Sequence, residues 1–461
     1  MKKTKIVATI GPASNNEETL REMIDAGMNV VRLNLSHGSR DSHRELTKLV
    51  RGIADSLDTA IAIMADTPGP AVRIERLINE KVYLKAGQDL IITEEDVMGD
   101  ENQISIDHEG CIECLKPGMS LLLANGEIGL RVKEVDPPRA ICEVLNSAEL
   151  GERKRISFPD CDIPVSLHDD DNIEFAGELD VDYFAASFVQ NANDVDKIKA
   201  RLKEQKIGVI AKIETKNSVD NIDEIVDAAD GIMVARGDLG VEIPFELVPR
   251  IQKSIVQKCN RQGKPVIIAT QMLKSMTEAP TPTRAEVADV ANAILDGTDA
   301  IMLSEESAIG GYPVDSVRVM ASVAHQMEQE PEVYHRFYGE DVELTEAIGE
   351  SACQVAERIN AAAIIPSTSS GSTASLVSKF RPTIPIVAVT YFEKARNRMA
   401  LVWGVIPLCI EFENNTSLML ERSIEATTKA MNLPSDSTVV ITAGVPFGVV
   451  GTTNLIKVEQ V

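Results

Sequence analysis

Eight short apolar runs, rich in β-branched residues and closing on polar ones, constrain this chain more than any other feature. They are residues 5–10 (KIVATI), 30–36 (VVRLNLS), 60–67 (AIAIMADT), 182–189 (DYFAASFV), 207–214 (IGVIAKIE), 231–238 (GIMVARGD), 265–271 (PVIIATQ) and 300–304 (AIMLS). Between most of them lie segments with helical spacing, such as 17–25 and 248–262. Strands buried on both faces read as near-continuous apolar runs, and parallel neighbours need a crossover helix. Eight such units predict an α/β protein built on a (β/α)8 barrel. A doubly wound open sheet is the competing architecture, which periodicity alone does not separate from it.

One interval breaks the rhythm. More than 110 residues separate Thr67 from Asp182, where about 25 would carry a crossover. It opens on Pro68-Gly69-Pro70, a stiff hinge signature. Inside it, 81–85, 90–94, 120–123 and 140–145 alternate apolar and polar residues between turns, which predicts a small inserted all-β domain. The acidic run Asp169-Asp170-Asp171 suits the start of the helix that resumes the barrel. Beyond about residue 340 the pattern restarts, with a helix over 344–360 and strands at 362–366, 385–390, 405–410, 438–443 and 453–458. Helices at 372–380 and 417–431 complete a separate α/β unit. The expected division is 1–68 and 164–338 for the barrel, 69–163 for the insert and 339–461 for the C-terminal domain.

Side chains at the C-terminal ends of barrel strands face the active site. Those positions hold Arg32, Asn34, Ser36, Asp66, Thr67, Ser187, Lys212, Glu214, Arg236, Asp238, Thr270 and Ser304. Lys212 and Glu214 alternate on one strand and share a face. A Lys-x-Glu is commonly a solvated surface pair, but here it ends an apolar run. Glu214 and Asp238 end successive strands and are positioned to share one hard cation such as Mg2+. Lys212 beside them would stabilise a transferring phosphoryl group. Asp238 also suits a plain helix cap, and the two roles are compatible.

Charge narrows the partners. Asp plus Glu number 71 against 46 Lys plus Arg, a net charge of −25 over 461 residues. Such a chain repels nucleic acid and anionic lipid. No apolar run reaches the roughly 18 residues of a membrane span, and the basic start lacks a signal-peptide core. Seven scattered cysteines argue against a disulfide framework. Cys111, Cys114, Cys142 and Cys161 fall in the insert, but without a second Cys-x-x-Cys they read as buried thiols before zinc ligands. The expected setting is cytoplasmic.

These motifs resemble a known family. Lys212-Ile213-Glu214, 233–244 (MVARGDLGVEIP), 269–273 (ATQML), 283–293 (TRAEVADVANA) and 301–304 are similar to the pyruvate kinase family. So are 4–14 (TKIVATIGPAS), 31–38 (VRLNLSHG), Trp403-Gly404 and 451–454 (GTTN). The resemblance runs in order over essentially the whole chain and implies a TIM barrel with an inserted small β-barrel lid and a C-terminal α/β domain. It implies a homotetrameric glycolytic enzyme converting phosphoenolpyruvate and ADP to pyruvate and ATP with Mg2+ or Mn2+, and with K+. By position, it implies that Lys212 stabilises the transferred phosphoryl group, Glu214 and Asp238 hold the divalent cation, and Arg32 contacts phosphate. Thr270 would lie beside the enolate and Ser304 in a protonation relay, with the backbone of Ala235, Gly237 and Asp238 receiving the substrate carboxylate. Asn34, Ser36, Asp66 and Thr67 match monovalent-cation ligands, while Pro12, Asn34, His37 and Arg73 fall on the nucleotide side.

The chain departs from the family pattern in places. The hinge Asp-Thr-Lys-Gly-Pro-Glu-Ile-Arg reads Asp66-Thr67-Pro68-Gly69-Pro70-Ala71-Val72-Arg73, which removes the residue that separates potassium-dependent from independent members. Gln190 replaces an Arg, and the lid's Asp-Asp-Gly reads Ala124-Asn125-Gly126. Lys-Gly-Val-Asn-Leu-Pro becomes 154–159 (KRISFP), and Ser-Gly-Glu-Thr-Ala becomes 304–308 (SEESA). Two other readings therefore stay open: a paralogue that senses phosphometabolites or nucleotide, and a metal-dependent lyase on pyruvate-like enolates. In the C-terminal domain, Thr368, Ser370, Gly371 and Thr373 follow an apolar strand and open a helix. They form either a phosphate cradle or a helix cap. The cradle resembles the family's effector loop, with Lys379 and Arg381 adding charge, and implies a phosphometabolite effector.

Overall fold

The computed structural model describes residues 2–69, 72–124, 126–159, 170–334, 343–445 and 453–461. Eight parallel strands close into a barrel: β1 (Lys5–Thr9), β2 (Val30–Asn34), β3 (Ala62–Asp66), β4 (Tyr183–Ala186), β5 (Gly208–Ile213), β6 (Gly231–Ala235), β7 (Val266–Ala269) and β8 (Ala300–Leu303). Each pairs with its neighbours in chain order, and β8 returns to β1 with Lys5 opposite Ala300. Closure rules out the open sheet. Residues alternate across the barrel wall as the pleat requires. Val7, Val30, Ala62, Met64, Ile210, Met233, Ile267 and Met302 fill the interior. Ile6, Ile63, Val209, Val234 and Ile268 pack outward under the helices. Helix Val248–Gln262 has the predicted bounds and ends on Gly263 in the left-handed region at φ 66°.

Between β3 and β4 the insert is all β. A six-stranded sheet runs in the order Ile156–Ser157, Ser120–Leu123, Ile128–Asp136, Arg139–Val144, Asp89–Thr93, Gln103–Ser105; Lys81–Leu84 pairs with Ala148–Gly151. The two sheets share one core, including Leu84, Leu90, Ile92, Leu121, Leu130 and Leu150. The sequence reading missed the longest strand, Ile128–Asp136. Only Ile128, Leu130 and Val132 are buried, its far half is exposed, and its register shifts between Val132 and Glu134. Cys111 and Cys142 are buried free thiols, whereas Cys114 is disulfide-bonded. The scattered, odd cysteine count gave no reason to expect that bond. Cys161 and Asp169 lie outside the described residues; Asp170 and Asp171 do occupy the first turn of helix Asp170–Glu178.

The C-terminal unit is a five-stranded sheet ordered Val405–Cys409, Ile386–Thr390, Ala363–Ser367, Thr438–Gly444, Thr453–Gln460, parallel except for the last strand. Helix Glu393–Met399, absent from the sequence reading, carries its end into the barrel, where Ala400 and Leu401 join the interior core. Lys5 Nζ donates to the Val405 carbonyl at 2.6 Å, and Lys3 Nζ donates to those of Pro382 and Thr383. The C-terminal unit thus covers the N-terminal end of the barrel. The opposite end is left to the insert.

Candidate active site

The ends of β2, β3 and β5 bring alternating charges together. Asp66, which ends β3, is fully buried and shared by two cations: Arg32 Nε reaches Oδ2, and Lys212 Nζ reaches Oδ1 at 3.0 Å. Burial alone would raise the Asp66 pKa, but Arg32 and Lys212 outweigh it and hold the carboxyl below its ordinary value. Lys212 Nζ also donates to Ser187 Oγ at 2.6 Å and pairs with Glu214 Oε1 at 2.9 Å. Burial pulls the Lys212 pKa down, yet the Asp66 and Glu214 charges override it and keep the ammonium protonated well above neutrality. Glu214 follows β5, and its other oxygen accepts the Phe188 N–H at 2.8 Å. Its pKa is raised, first by burial and then by the Asp238 charge, against the pull of Lys212.

Asp238 is not at a strand end. The strand stops at Ala235, and helix Arg236–Glu242 begins at once, with Asp238 in its first turn. The helix start has no side-chain cap, so Asp238 is not the capping residue either. The first-turn N–H groups are oriented as in an anion site. One is already engaged: Gly237 N–H donates to Thr270 Oγ1 at 2.8 Å. Thr270 holds φ 70° and Gln271 φ 55°, a left-handed pair in β-branched and linear residues that costs about 1–3 kcal/mol each. Arg236 points away from the charge cluster, to Asp289 and the Thr270 carbonyl. Ser304 Oγ is buried without a hydrogen-bond partner among the described residues. The Ser304 N–H donates to Glu306 Oε2, and Glu306 Oε1 accepts the Leu273 N–H.

Two adjoining cavities of about 360 Å3 each share Asp238. One is lined by Arg32, Asn34, Ser36, Asp66, Thr67, Lys212 and Glu214 from the barrel, with Arg73, Lys154 and Arg155 from the insert. The other takes in Gly237, Thr270, Lys274, Ser304 and Glu306. Pro12 and His37 do not line either; both are exposed, and the His37 carbonyl contacts His43 Nε2. Pro70, Ala71 and Asn125 lie outside the described residues. Arg155 is the residue the sequence reading missed. Its Nη1 sits 2.8 Å from Asp238 Oδ1, and its guanidinium lies over the Phe188 ring at 4.4 Å. The only local signal was its place in 154–159, where the chain leaves the family pattern.

Glu214 and Asp238 fit a divalent cation on their chemistry. Glu214 follows β5 and Asp238 lies in the first turn of the helix after β6; the two wall one cavity, and the Asp238 charge adds to burial in raising the Glu214 pKa. The four monovalent-ligand candidates Asn34, Ser36, Asp66 and Thr67 line that cavity too.

At the C-terminal loop, Gly371 (φ 95°) precedes helix Ser372–Lys379, which has no side-chain cap. Gly371 N–H donates to Thr368 Oγ1, Ser370 and Ser372 hydroxyls touch at 3.0 Å, and Thr373 Oγ1 lies 2.9 Å from Thr453 Oγ1. The charges expected beside it are spent elsewhere. Lys379 pairs with Glu346 at 2.6 Å, and Arg381 is buried against Asp299 and over Trp403. Gly451 and Thr452 of the 451–454 motif lie outside the described residues.

Known proteins resemble the chain over its whole length. A family model described as pyruvate kinase, barrel domain, matches residues 1–317, and one described as pyruvate kinase, alpha/beta domain, matches 346–459. Proteins named pyruvate kinase from Staphylococcus aureus and Staphylococcus epidermidis are each 42% identical over 473 residues, covering 100% of this chain and 81% of the relative. The crystal structure of a pyruvate kinase from Cryptosporidium parvum superposes with a TM-score of 0.94 at 37% identity, covering 100% of this chain and 96% of that one.

Proposed function

The chain belongs to the pyruvate kinase family, and from that premise we propose that it moves the phosphoryl group of phosphoenolpyruvate to ADP, giving pyruvate and ATP, at the cavities that meet at Asp238. It is a phosphotransferase. The observation that carries the site assignment is Lys212, whose ammonium is held between Asp66 and Glu214 in the wall of the cavity. Fixed there before substrate arrives, its charge costs no reorganisation when charge shifts on the transferring phosphoryl group. Arg32, oriented by Asp66 and Thr9, presents the rest of its guanidinium to phosphate oxygens.

Glu214 and Asp238 would hold Mg2+ or Mn2+, which neutralises charge on phosphoryl and carboxylate oxygens. The first-turn backbone of Ala235, Gly237 and Asp238 would receive the substrate carboxylate. Departure of the phosphoryl group leaves an enolate that must be protonated at carbon. Thr270 and the unpartnered Ser304 hydroxyl line the second cavity, where such a proton path would run. Asn34, Ser36, Asp66 and Thr67 would ligate K+, and Asn34 and Arg73 face the nucleotide, with Pro12 and His37 further out.

We take residues 69–163 as a lid over this mouth, the chain as a cytoplasmic homotetramer, and the 368–373 loop as the seat of a phosphometabolite effector. No helix among the described residues is long and apolar enough to cross a membrane. A binding-only paralogue would have no use for Lys212, Glu214, Asp238 and Thr270 assembled around connected cavities. Pyruvate release from phosphoenolpyruvate with ADP and Mg2+, with and without K+, tests the function. No pyruvate under any of these conditions would overturn it.

A further inference from the structure

Asp66, Glu214 and Asp238 each pair with a cation at the barrel mouth, but one of those cations comes from outside the barrel. Asp66 is neutralised by Arg32 and Lys212, and Glu214 by Lys212, all on barrel strands or just beyond them. Asp238 is neutralised by Arg155, which lies 83 residues away in the insert. Arg155 is a built contact. Its backbone is pinned at the sheet edge, where its carbonyl accepts the Ala124 N–H at 3.0 Å and the next residue pairs with Leu123. Its side chain is 13% exposed, lies over the Phe188 ring and reaches toward Glu242 Oε1 at 3.7 Å as well as Asp238. Phe188 in turn gives its N–H to Glu214. The guanidinium therefore contacts Asp238 directly and reaches Glu214, the other carboxylate proposed to take the divalent cation, only through the intervening Phe188. Among the described residues, the pairs to Asp238 and Glu242 are the ion pairs that join insert to barrel.

We propose that Arg155 is a latch that competes with the divalent cation for Asp238, so that metal binding and release of the insert are one coupled event. A guanidinium at Asp238 Oδ1 repels a second cation brought to the same carboxylate, and the metal repels the guanidinium equally. By linkage, the factor by which the latch weakens metal binding is the factor by which metal weakens the latch. The metal-free protein then keeps the insert closed on the mouth. A divalent cation frees Arg155 to turn toward the phosphate-bearing ligands that enter beside it. A Gly at this position, as in the family pattern, provides no such contact.

This inference rests on the assignment of Glu214 and Asp238 as the metal's ligands, and the experiment separates the two. Mn2+ binding to the substrate-free full chain is measured by electron paramagnetic resonance of free Mn2+. Arg155→Met, which keeps packing on Phe188 but drops the charge, should bind Mn2+ more tightly by at least about fivefold, the low end of usual coupling. Arg155→Lys should stay near wild type. In wild type, Mn2+ should speed amide hydrogen exchange across residues 153–157; in Arg155→Met it should not. If Asp238→Asn binds Mn2+ as well as wild type, the ligand assignment falls and the latch with it. If Asp238→Asn loses Mn2+ while Arg155→Met matches wild type, the latch alone is wrong. Should Arg155→Met fail to fold, exchange in wild type decides: indifference to Mn2+ overturns the proposal.

Discussion

Thr270 Oγ1 accepts the Gly237 N–H at 2.8 Å, tying the end of β7 to the first turn of the helix after β6. The bond needs Thr270 to turn back, and its φ of 70° is the strain that results. Hydroxyl and strain separate by substitution. Thr270→Ala and Thr270→Gly both lose the acceptor, and kcat should fall in both by about one to two orders of magnitude. Thr270→Gly should nevertheless melt higher than Thr270→Ala, because glycine adopts this φ without steric cost. Thermal unfolding decides it, and an alanine variant as stable as the glycine one would show that φ is not under strain.

Lys212→Met should lower kcat by about two to three orders of magnitude while the KM for phosphoenolpyruvate changes little. The charge acts where the phosphoryl group is in transit rather than in the ground state. The variant should also melt lower, since Asp66 and Glu214 lose a buried partner. Steady-state kinetics with an unchanged kcat would remove Lys212 from the mechanism.

Potassium should activate. Asn34, Ser36, Asp66 and Thr67 wall one cavity; of the two lysines that also line it, Lys154 is exposed and makes no ion pair with Asp66 among the described residues. Lys212 is already bound to Asp66 and Glu214. Initial rates in K+ should exceed those in tetramethylammonium at equal ionic strength; equal rates would retire the site.

The effector loop is best tested at Ser372, which is exposed, rather than at buried Thr373, where an added charge would simply destabilise. Sugar phosphates and nucleoside monophosphates should shift phosphoenolpyruvate saturation curves, and Ser372→Glu should abolish the shift. Curves unmoved by the whole panel would leave the loop as a helix start only.

The junction between β1 and the C-terminal unit should strengthen with pH. Burial pushes the Lys5 pKa down to about 8, from 10.5 for an ordinary lysine. Between those values the unfolded chain binds the extra proton, so stability rises as pH climbs from about 8 toward 10.5. The wild-type melting temperature minus that of Lys5→Met should grow across this window. A flat difference would mean that Lys5 keeps its ordinary pKa in the fold.

What the sequence determined by itself is the barrel and most of its polar rim. A strand buried on both faces must be apolar along its length, so each of the eight declares itself locally, and the residues ending it are the ones at the mouth. Lys212, Glu214, Asp66 and Arg32 were legible for that reason. The insert was legible only as β structure, because a strand such as Ile128–Asp136 buries one face for half its length and carries charge along the rest. Tertiary structure decided the remainder. Whether the run at 231–238 stays extended past Ala235 depends on Thr270, which meets Gly237 from 33 positions away. That Arg155 reaches Asp238 depends on how an independently cored insert docks on the barrel. That Arg381 points to Asp299 rather than to the effector loop depends on how the C-terminal unit seats beneath it. Periodicity records which face of an element is buried; an ion pair between separate cores leaves no period in either segment, and only the packing of those cores fixes it.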